Sequence, residues 1–173
     1  MPNLASAIEA GNVAKVRQIL AKDRTNVKET RGTIALSQAA HLGYLEIVQI
    51  LIEAGAEVND EDRVLYASEA PLAQAASHGY LQIVRVLLEA GAEVNIPSDD
   101  PEYWTPLMCA VSSGNIEVVK LLVEAGADVN TIRGGGNFAL MIAAEAGEQE
   151  IFEYLAPLTE STLRQEVEKV LLK

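Results

Sequence analysis

The sequence contains a single cysteine, Cys109, and no apolar run long enough to span a bilayer. One cysteine excludes an internal disulfide and a cysteine-rich metal site. A spanning helix needs about 20 consecutive apolar residues, so we expect no membrane insertion. The first residues carry neither a basic segment nor a continuous apolar segment, so no signal peptide is predicted. These absences favour a cytoplasmic protein.

Aromatic and basic residues are also scarce. Aromatic residues make up 5% of the chain, and 13 Lys and Arg stand against 25 Asp and Glu, which gives a net charge of -12. We expect no nucleic-acid partner, because nucleic-acid affinity depends on cations that neutralise phosphates. The resulting negative field favours a partner protein with a basic surface. The alternative is that the negative charge only keeps the protein soluble. The abundance of Ala, Leu, Val and Ile predicts closely packed helices.

Internal repetition dominates what is present. Three near copies occupy residues 45–59, 81–95 and 116–130, with the sequences LEIVQILIEAGAEVN, LQIVRVLLEAGAEVN and IEVVKLLVEAGADVN. Each follows a second recurring segment that ends in glycine, and two divergent copies lie at 4–20 and 138–155. The closing glycines recur with one period, at Gly11, Gly43, Gly79, Gly114 and Gly147.

Each repeating unit predicts two short helices. Leu72, Ala75 and Ala76 share one helix face, and the equivalent positions repeat that stripe. The following glycine ends the helix because it adopts a left-handed conformation easily, and a second helix with a broader apolar face follows. A unit this small cannot bury its stripe alone, so the units must stack. We therefore expect an all-α array of helix-turn-helix units joined by hairpin-like loops.

These blocks resemble ankyrin repeats, whose pattern T-P-L…A-A…G…L-L…A-G-A-D-V-N spans about 33 residues. The segment A-G-A-[DE]-V-N occurs at 54–59, 90–95 and 125–130, whereas T-P-L occurs only at 105–107 and no unit has histidine after the leucine. The resemblance implies an ankyrin-repeat domain over 1–158. Its five repeats are placed at about 1–28, 29–59, 60–95, 96–130 and 131–158, and a C-terminal capping helix at 159–173.

The C-terminal segment predicts an additional amphipathic helix after Pro157. Thr162, with Gln165 three residues later, is the predicted N-terminal cap. The apolar stripe of this helix is Leu163, Val167, Val170 and Leu171. The stripe either seals the last repeat or offers a hydrophobic contact to a partner.

The sequence offers no convincing reactive site. His41 and His78 occupy nearby positions in successive units, but no dense ligand spacing accompanies them, so we expect no metal. Cys109 lies on a helix stripe without an indicated histidine partner, which predicts a core or groove residue. The glycines at 134–136 lack the Lys-[Ser/Thr] of a phosphate loop and are read as a hairpin tip. We expect no catalytic residue and no cofactor, and therefore no enzyme.

The resemblance implies a non-enzymatic scaffold that binds another protein through its concave face and hairpin tips. Loops at 60–70 and 96–104 exceed the family spacing and combine carboxylates with aromatics. The candidate partner-binding residues are Arg31, Thr33, Ser37, His41, Leu42, Asp62, Arg63, Tyr66, Ser77, His78, Asp100, Glu102, Tyr103, Trp104, Met108, Ser112, Ser113, Arg133, Asn137, Phe138, Met141 and Glu145. The alternative is an assembly factor or chaperone that acts through the solenoid ends, for example by self-association, which no residue pattern specifically indicates.

Overall fold

The structure, a computed structural model, describes residues 3–23, 27, 30–59, 69–96 and 103–172. Eleven α-helices lie within these ranges: α1 Leu4–Glu9, α2 Val13–Lys22, α3 Thr30–His41, α4 Leu45–Glu53, α5 Pro71–Ser77, α6 Leu81–Glu89, α7 Pro106–Ser112, α8 Ile116–Glu124, α9 Ala139–Ala146, α10 Gln149–Leu155 and α11 Ser161–Leu171. No strand occurs in the described part of the chain. None of its helices has both the length and the apolar character needed to cross a membrane.

The first ten helices form five antiparallel pairs that stack in chain order. The odd-numbered helices α1 to α9 contact one another in series, and the even-numbered helices α2 to α10 form a second layer beside them. We call these the inner and the outer helices. This arrangement confirms the predicted all-α solenoid, whereas the residue boundaries of individual repeats remain a prediction.

Alanine permits the close stacking of the inner helices. Ala39, Ala40, Ala75, Ala76 and Ala110 are fully buried, so neighbouring backbones approach across methyl groups alone. The leucine that precedes these alanines in each unit is buried as well, and all belong to one continuous core cluster. The core therefore runs along the whole stack instead of dividing between units.

The turn between the helices of a pair requires glycine for two reasons. Gly43 has φ of +76°, a left-handed conformation that costs other residues strain. A Cβ atom at this position would also lie 2.8 Å from Cζ of Tyr80 in the next pair. The periodic glycines therefore both reverse the chain and admit the side chain of the following unit.

Asparagine side chains tie each unit to the next at the end of the outer helix. Asn59 Nδ2 donates to Gly91 O at 2.9 Å, and its Oδ1 accepts from Glu93 N at 2.8 Å. Asn95 makes the same two bonds, with Gly126 O and Asp128 N, each at 2.9 Å. The asparagine that ends A-G-A-[DE]-V-N is thus an inter-unit connector.

The same connector docks the C-terminal helix. Asn130 Oδ1 accepts a hydrogen bond from Glu160 N at 2.8 Å, which corresponds to the bond that the previous two asparagines accept. Glu160 has extended backbone angles and precedes the first residue of α11. The predicted cap at Thr162 is therefore wrong. Glu160 occupies the N-cap position, and α11 begins at Ser161, one residue before Thr162.

Half of the apolar stripe of α11 seals the array. Val167 is buried and Leu163 packs against the core. Val170 and Leu171 are 44% and 59% exposed, so the end of the stripe faces solvent.

Replacing Asn95 by Ala should lower the free energy of unfolding by about 1–3 kcal/mol, since two inter-unit hydrogen bonds are lost. Urea denaturation followed by circular dichroism measures this. The control is Glu93→Ala, which removes a nearby exposed side chain but keeps the bond from its own backbone N–H to Asn59, and should stay within about 0.5 kcal/mol. Equal stability of Asn95→Ala and the parent chain would contradict the connector role.

Candidate interaction surface

The C-terminal ends of the inner helices carry a row of exposed side chains. His41, Ser77 and Ser112 are the last residues of α3, α5 and α7, and His78 and Ser113 follow two of them. We call the exposed set of His41, Ser77, His78, Ser112, Ser113 and Glu145 the inner-helix strip. Because successive inner helices are in contact, these predicted residues form one continuous surface. Leu42 and Met141 border it, half-buried against the core.

Four predicted contact residues are buried instead. Thr33, Met108 and Phe138 are at most 2% exposed, and Ser37 is 8% exposed. Thr33 Oγ1 donates to Glu57 O at 3.1 Å, and Ser37 Oγ donates to Glu69 O. The prediction that these side chains face a partner is therefore wrong for the unbound chain. These four positions are buried, whereas the last residues of α3, α5 and α7 reach solvent.

The long loops are only partly described. Tyr103 and Trp104 are half-buried, and Trp104 packs against the core. Arg31 belongs to α3, but its side chain is outside the described part. The remaining predicted loop residues, Asp62, Arg63, Tyr66, Asp100 and Glu102, lie outside the described residues. Their contribution to the surface stays a prediction.

The last connection before α9 is a tight hairpin. Arg133 N donates to Asn137 O and Asn137 N donates to Arg133 O, both at 2.7 Å, and a 3-10 turn over Gly134–Gly136 closes the tip. This confirms the interpretation of the glycine triplet. Arg133 Nε is buried, and no hydrogen-bond partner is found for it among the described residues.

The two histidines of the strip touch each other. The ring centroids of His41 and His78 lie 4.6 Å apart with an interplanar angle of 83°. The ring of His78 also stacks on Tyr80 at 5.5 Å. Gln74, which sequence reasoning missed, lies between them, and its Oε1 is 2.7 Å from His41 Nδ1. Its place one turn before His78 on the same helix was the available signal.

Carboxylates line the ends of the outer helices. Each of three units carries two exposed acidic residues, one as the last residue of the outer helix and one four residues later. We call this row the acidic edge, and it consists of Glu53, Glu57, Glu89, Glu93, Glu124 and Asp128. The edge runs beside the connector asparagines along the stack. Each of the three units therefore contributes two negative charges to it.

Comparison with known families decides the identity of the array. The family model for ankyrin repeats, described as three copies, matches residues 4–98 and 72–165. The chain belongs to the ankyrin-repeat family. Ankyrin repeats are generally protein–protein interaction modules and are typically non-enzymatic. No curated protein matches the chain.

The reactive groups of this ankyrin array agree with a binding surface. Burial raises the pKa of the Cys109 thiol to about 11, so the thiol remains protonated at neutral pH and is a poor nucleophile. Within the described ranges, no three side chains among His, Cys, Asp and Glu gather into a cluster that could hold a metal ion.

Proposed function

We propose that this ankyrin array binds a partner protein through the inner-helix strip and the neighbouring hairpin tips, and that the partner presents a basic surface. The observation that carries the proposal is the continuity of the strip. Exposed polar side chains recur at the end of successive inner helices, and His41 and His78 of two successive units are in direct contact. A surface of this kind spans several units and suits an extended protein ligand.

The side chains of the strip support close approach by a partner. Ser77, Ser112 and Ser113 are short, so they leave the inner helices accessible while offering hydroxyl groups. Ser77 Oγ and Ser113 Oγ donate to the backbone oxygens of Gln74 and Ala110 at 2.9 and 2.7 Å. Ser77 Oγ also lies 3.0 Å from His78 Nδ1, so the hydroxyl oxygen of Ser113 keeps both lone pairs for a partner's donors and that of Ser77 keeps one. Histidine adds rings that stack or accept hydrogen bonds. Little side-chain entropy is lost when such residues are covered.

The acidic edge supports the choice of a basic partner. The chain carries a net charge of -12, and the exposed carboxylates of the edge recur along the array. Complementary charge accelerates encounter and orients the partner more than it adds affinity. Screening limits each carboxylate to about 8 Å at physiological ionic strength, so a row of them is needed to guide an extended ligand.

Affinity capture from the native cell, followed by binding kinetics on the purified partner, tests this proposal. The association rate should fall about tenfold or more from low to high salt, and the dissociation rate should change little. Glu57→Gln with Glu93→Gln should lower the association rate and flatten its salt dependence. Glu46→Gln with Glu117→Gln, which removes the same charge from the first turns of outer helices, is the control for net charge, and it also breaks the exposed ion pairs of Glu46 with Arg17 and of Glu117 with Lys120.

Two results would overturn the proposal. Association that is independent of salt would exclude a basic partner. Capture that requires residues 160–173 but tolerates changes in the strip would instead favour the assembly role through the solenoid end, where Leu172 is 87% exposed.

A further inference from the structure

His41 and His78 lie about one repeat period apart in the sequence, yet the stack places their rings in contact. Their centroids are 4.6 Å apart, and both residues are exposed on the inner-helix strip. Stacking on Tyr80 at an interplanar angle of 16° holds the ring of His78. The pair is therefore a fixed arrangement of two imidazoles at the surface.

Hydrogen bonds assign the same tautomer to both rings. His41 Nδ1 lies 2.7 Å from the amide oxygen of Gln74, which only accepts, so His41 Nδ1 carries the proton. His78 Nδ1 lies 3.0 Å from the backbone oxygen of Gln74, which likewise only accepts. It also lies 3.0 Å from Ser77 Oγ, whose own proton is donated to the same backbone oxygen. Each Nε2 consequently bears the lone pair, and no partner for either Nε2 is found among the described residues.

This pattern is the one that metal-binding histidines show. A ligating histidine donates its other ring N–H to a carbonyl or carboxylate, which fixes the ring and raises its basicity. Gln74 supplies both acceptors here, one from its side chain and one from its backbone. Gln74 thus contacts both imidazoles, and Ser77 adds a second contact to His78.

The separation of the rings is compatible with two imidazoles on one metal ion. With metal–nitrogen distances of about 2.0–2.1 Å, two imidazoles on one ion have centroids about 4.5 Å apart at a right angle and about 5.2 Å apart at the tetrahedral angle. If both Nε2 atoms point at one ion, the observed 4.6 Å is close to the separation for the right angle. Adjacent positions of a square-planar or tetragonal complex have this angle, which is typical of Cu²⁺ and Ni²⁺.

We propose that His41 and His78 bind one Cu²⁺ or Ni²⁺ ion through their Nε2 atoms, with water in the remaining positions. No third His, Cys, Asp or Glu joins them among the described residues, so the ion stays open to solvent on the strip. The dense sequence spacing that is typical of metal ligands is absent for this pair. A solenoid brings ligands together at one repeat period instead.

Titration of the tag-free protein with CuSO₄ or NiCl₂, followed by calorimetry and electron paramagnetic resonance of the copper form, tests the site. We expect one ion per chain, nitrogen splitting from two imidazoles, and weaker binding of Zn²⁺ and none of Mg²⁺. His41→Gln and His78→Gln should each weaken Cu²⁺ binding by more than the about 10- to 100-fold typical of outer-shell losses. Gln74→Leu should weaken it by about tenfold.

Circular dichroism shows whether the variants remain folded. Because both histidines are exposed, the spectra of their variants should match that of the parent chain. Unchanged copper affinity and unchanged nitrogen splitting in His41→Gln with His78→Gln would overturn the site. Mg²⁺ binding as strong as Cu²⁺ binding would overturn it as well, since hard cations prefer oxygen ligands.

Discussion

Replacing Leu107 by Ala is expected to lower the free energy of unfolding by about 2–5 kcal/mol. Leu107 is 1% exposed in α7, and α7 packs between α5 and α9. The substitution removes buried apolar contacts and leaves a cavity, because the flanking helices are held by their own neighbours and collapse only partly. Each unit depends on its neighbours, so the loss weakens the contacts on both sides.

Urea denaturation monitored at 222 nm measures this effect. Leu172→Ala is the matched control, because it deletes the same atoms at a site that is 87% exposed and should change stability by less than about 0.5 kcal/mol. Splitting of the Leu107→Ala transition into two steps would agree with a one-dimensional array whose centre has been weakened. An effect as small as that of Leu172→Ala would contradict the continuous core.

Much of this fold was predictable from the sequence because each unit repeats the same local physics. The glycine at Gly43 and its equivalents marked every turn, and the alanine stripe marked every inner helix. The asparagine of A-G-A-[DE]-V-N identified the family pattern, and the structure adds what it does, since Asn59 and Asn95 connect consecutive units. Periodicity carries this information without any knowledge of tertiary contacts.

The errors arose where a position's environment depends on tertiary contacts. Thr33 and Met108 fall at positions that suggest a groove, but both side chains are buried, and Thr33 donates to the backbone oxygen of Glu57 in its own unit. Gln74 lies inside a polar network that only stacking creates, because its partner His41 comes from the neighbouring helix. The prediction of a cap at Thr162 is wrong because Asn130, 30 residues earlier in the sequence, holds the backbone of Glu160.

Partner binding should be lost when two long cations are placed on the inner-helix strip. Ser77→Arg with Ser112→Arg puts bulky side chains on adjacent inner helices at exposed positions, so the array itself should remain folded. Arginine blocks close approach, and a positive charge opposite a basic partner costs several kcal/mol. We expect affinity to fall by about 100-fold, which corresponds to about 2.7 kcal/mol.

Gln49→Arg with Gln82→Arg provides the matched control on the outer helices. Both glutamines are exposed on α4 and α6, and the pair adds the same two charges and the same residue type. Any effect of net charge on long-range encounter is therefore shared by the two double variants. A difference between them reports the location of the interface.

The dissociation constant of the captured partner for these two double variants is the most direct test of binding through the inner-helix strip. Surface plasmon resonance at physiological salt supplies it, with circular dichroism confirming that both variants keep the helical content of the parent chain. We predict about 100-fold weaker binding for Ser77→Arg with Ser112→Arg and a change of less than about threefold for Gln49→Arg with Gln82→Arg. Equal losses in both, or a loss confined to the outer-helix variant, would contradict binding through the strip.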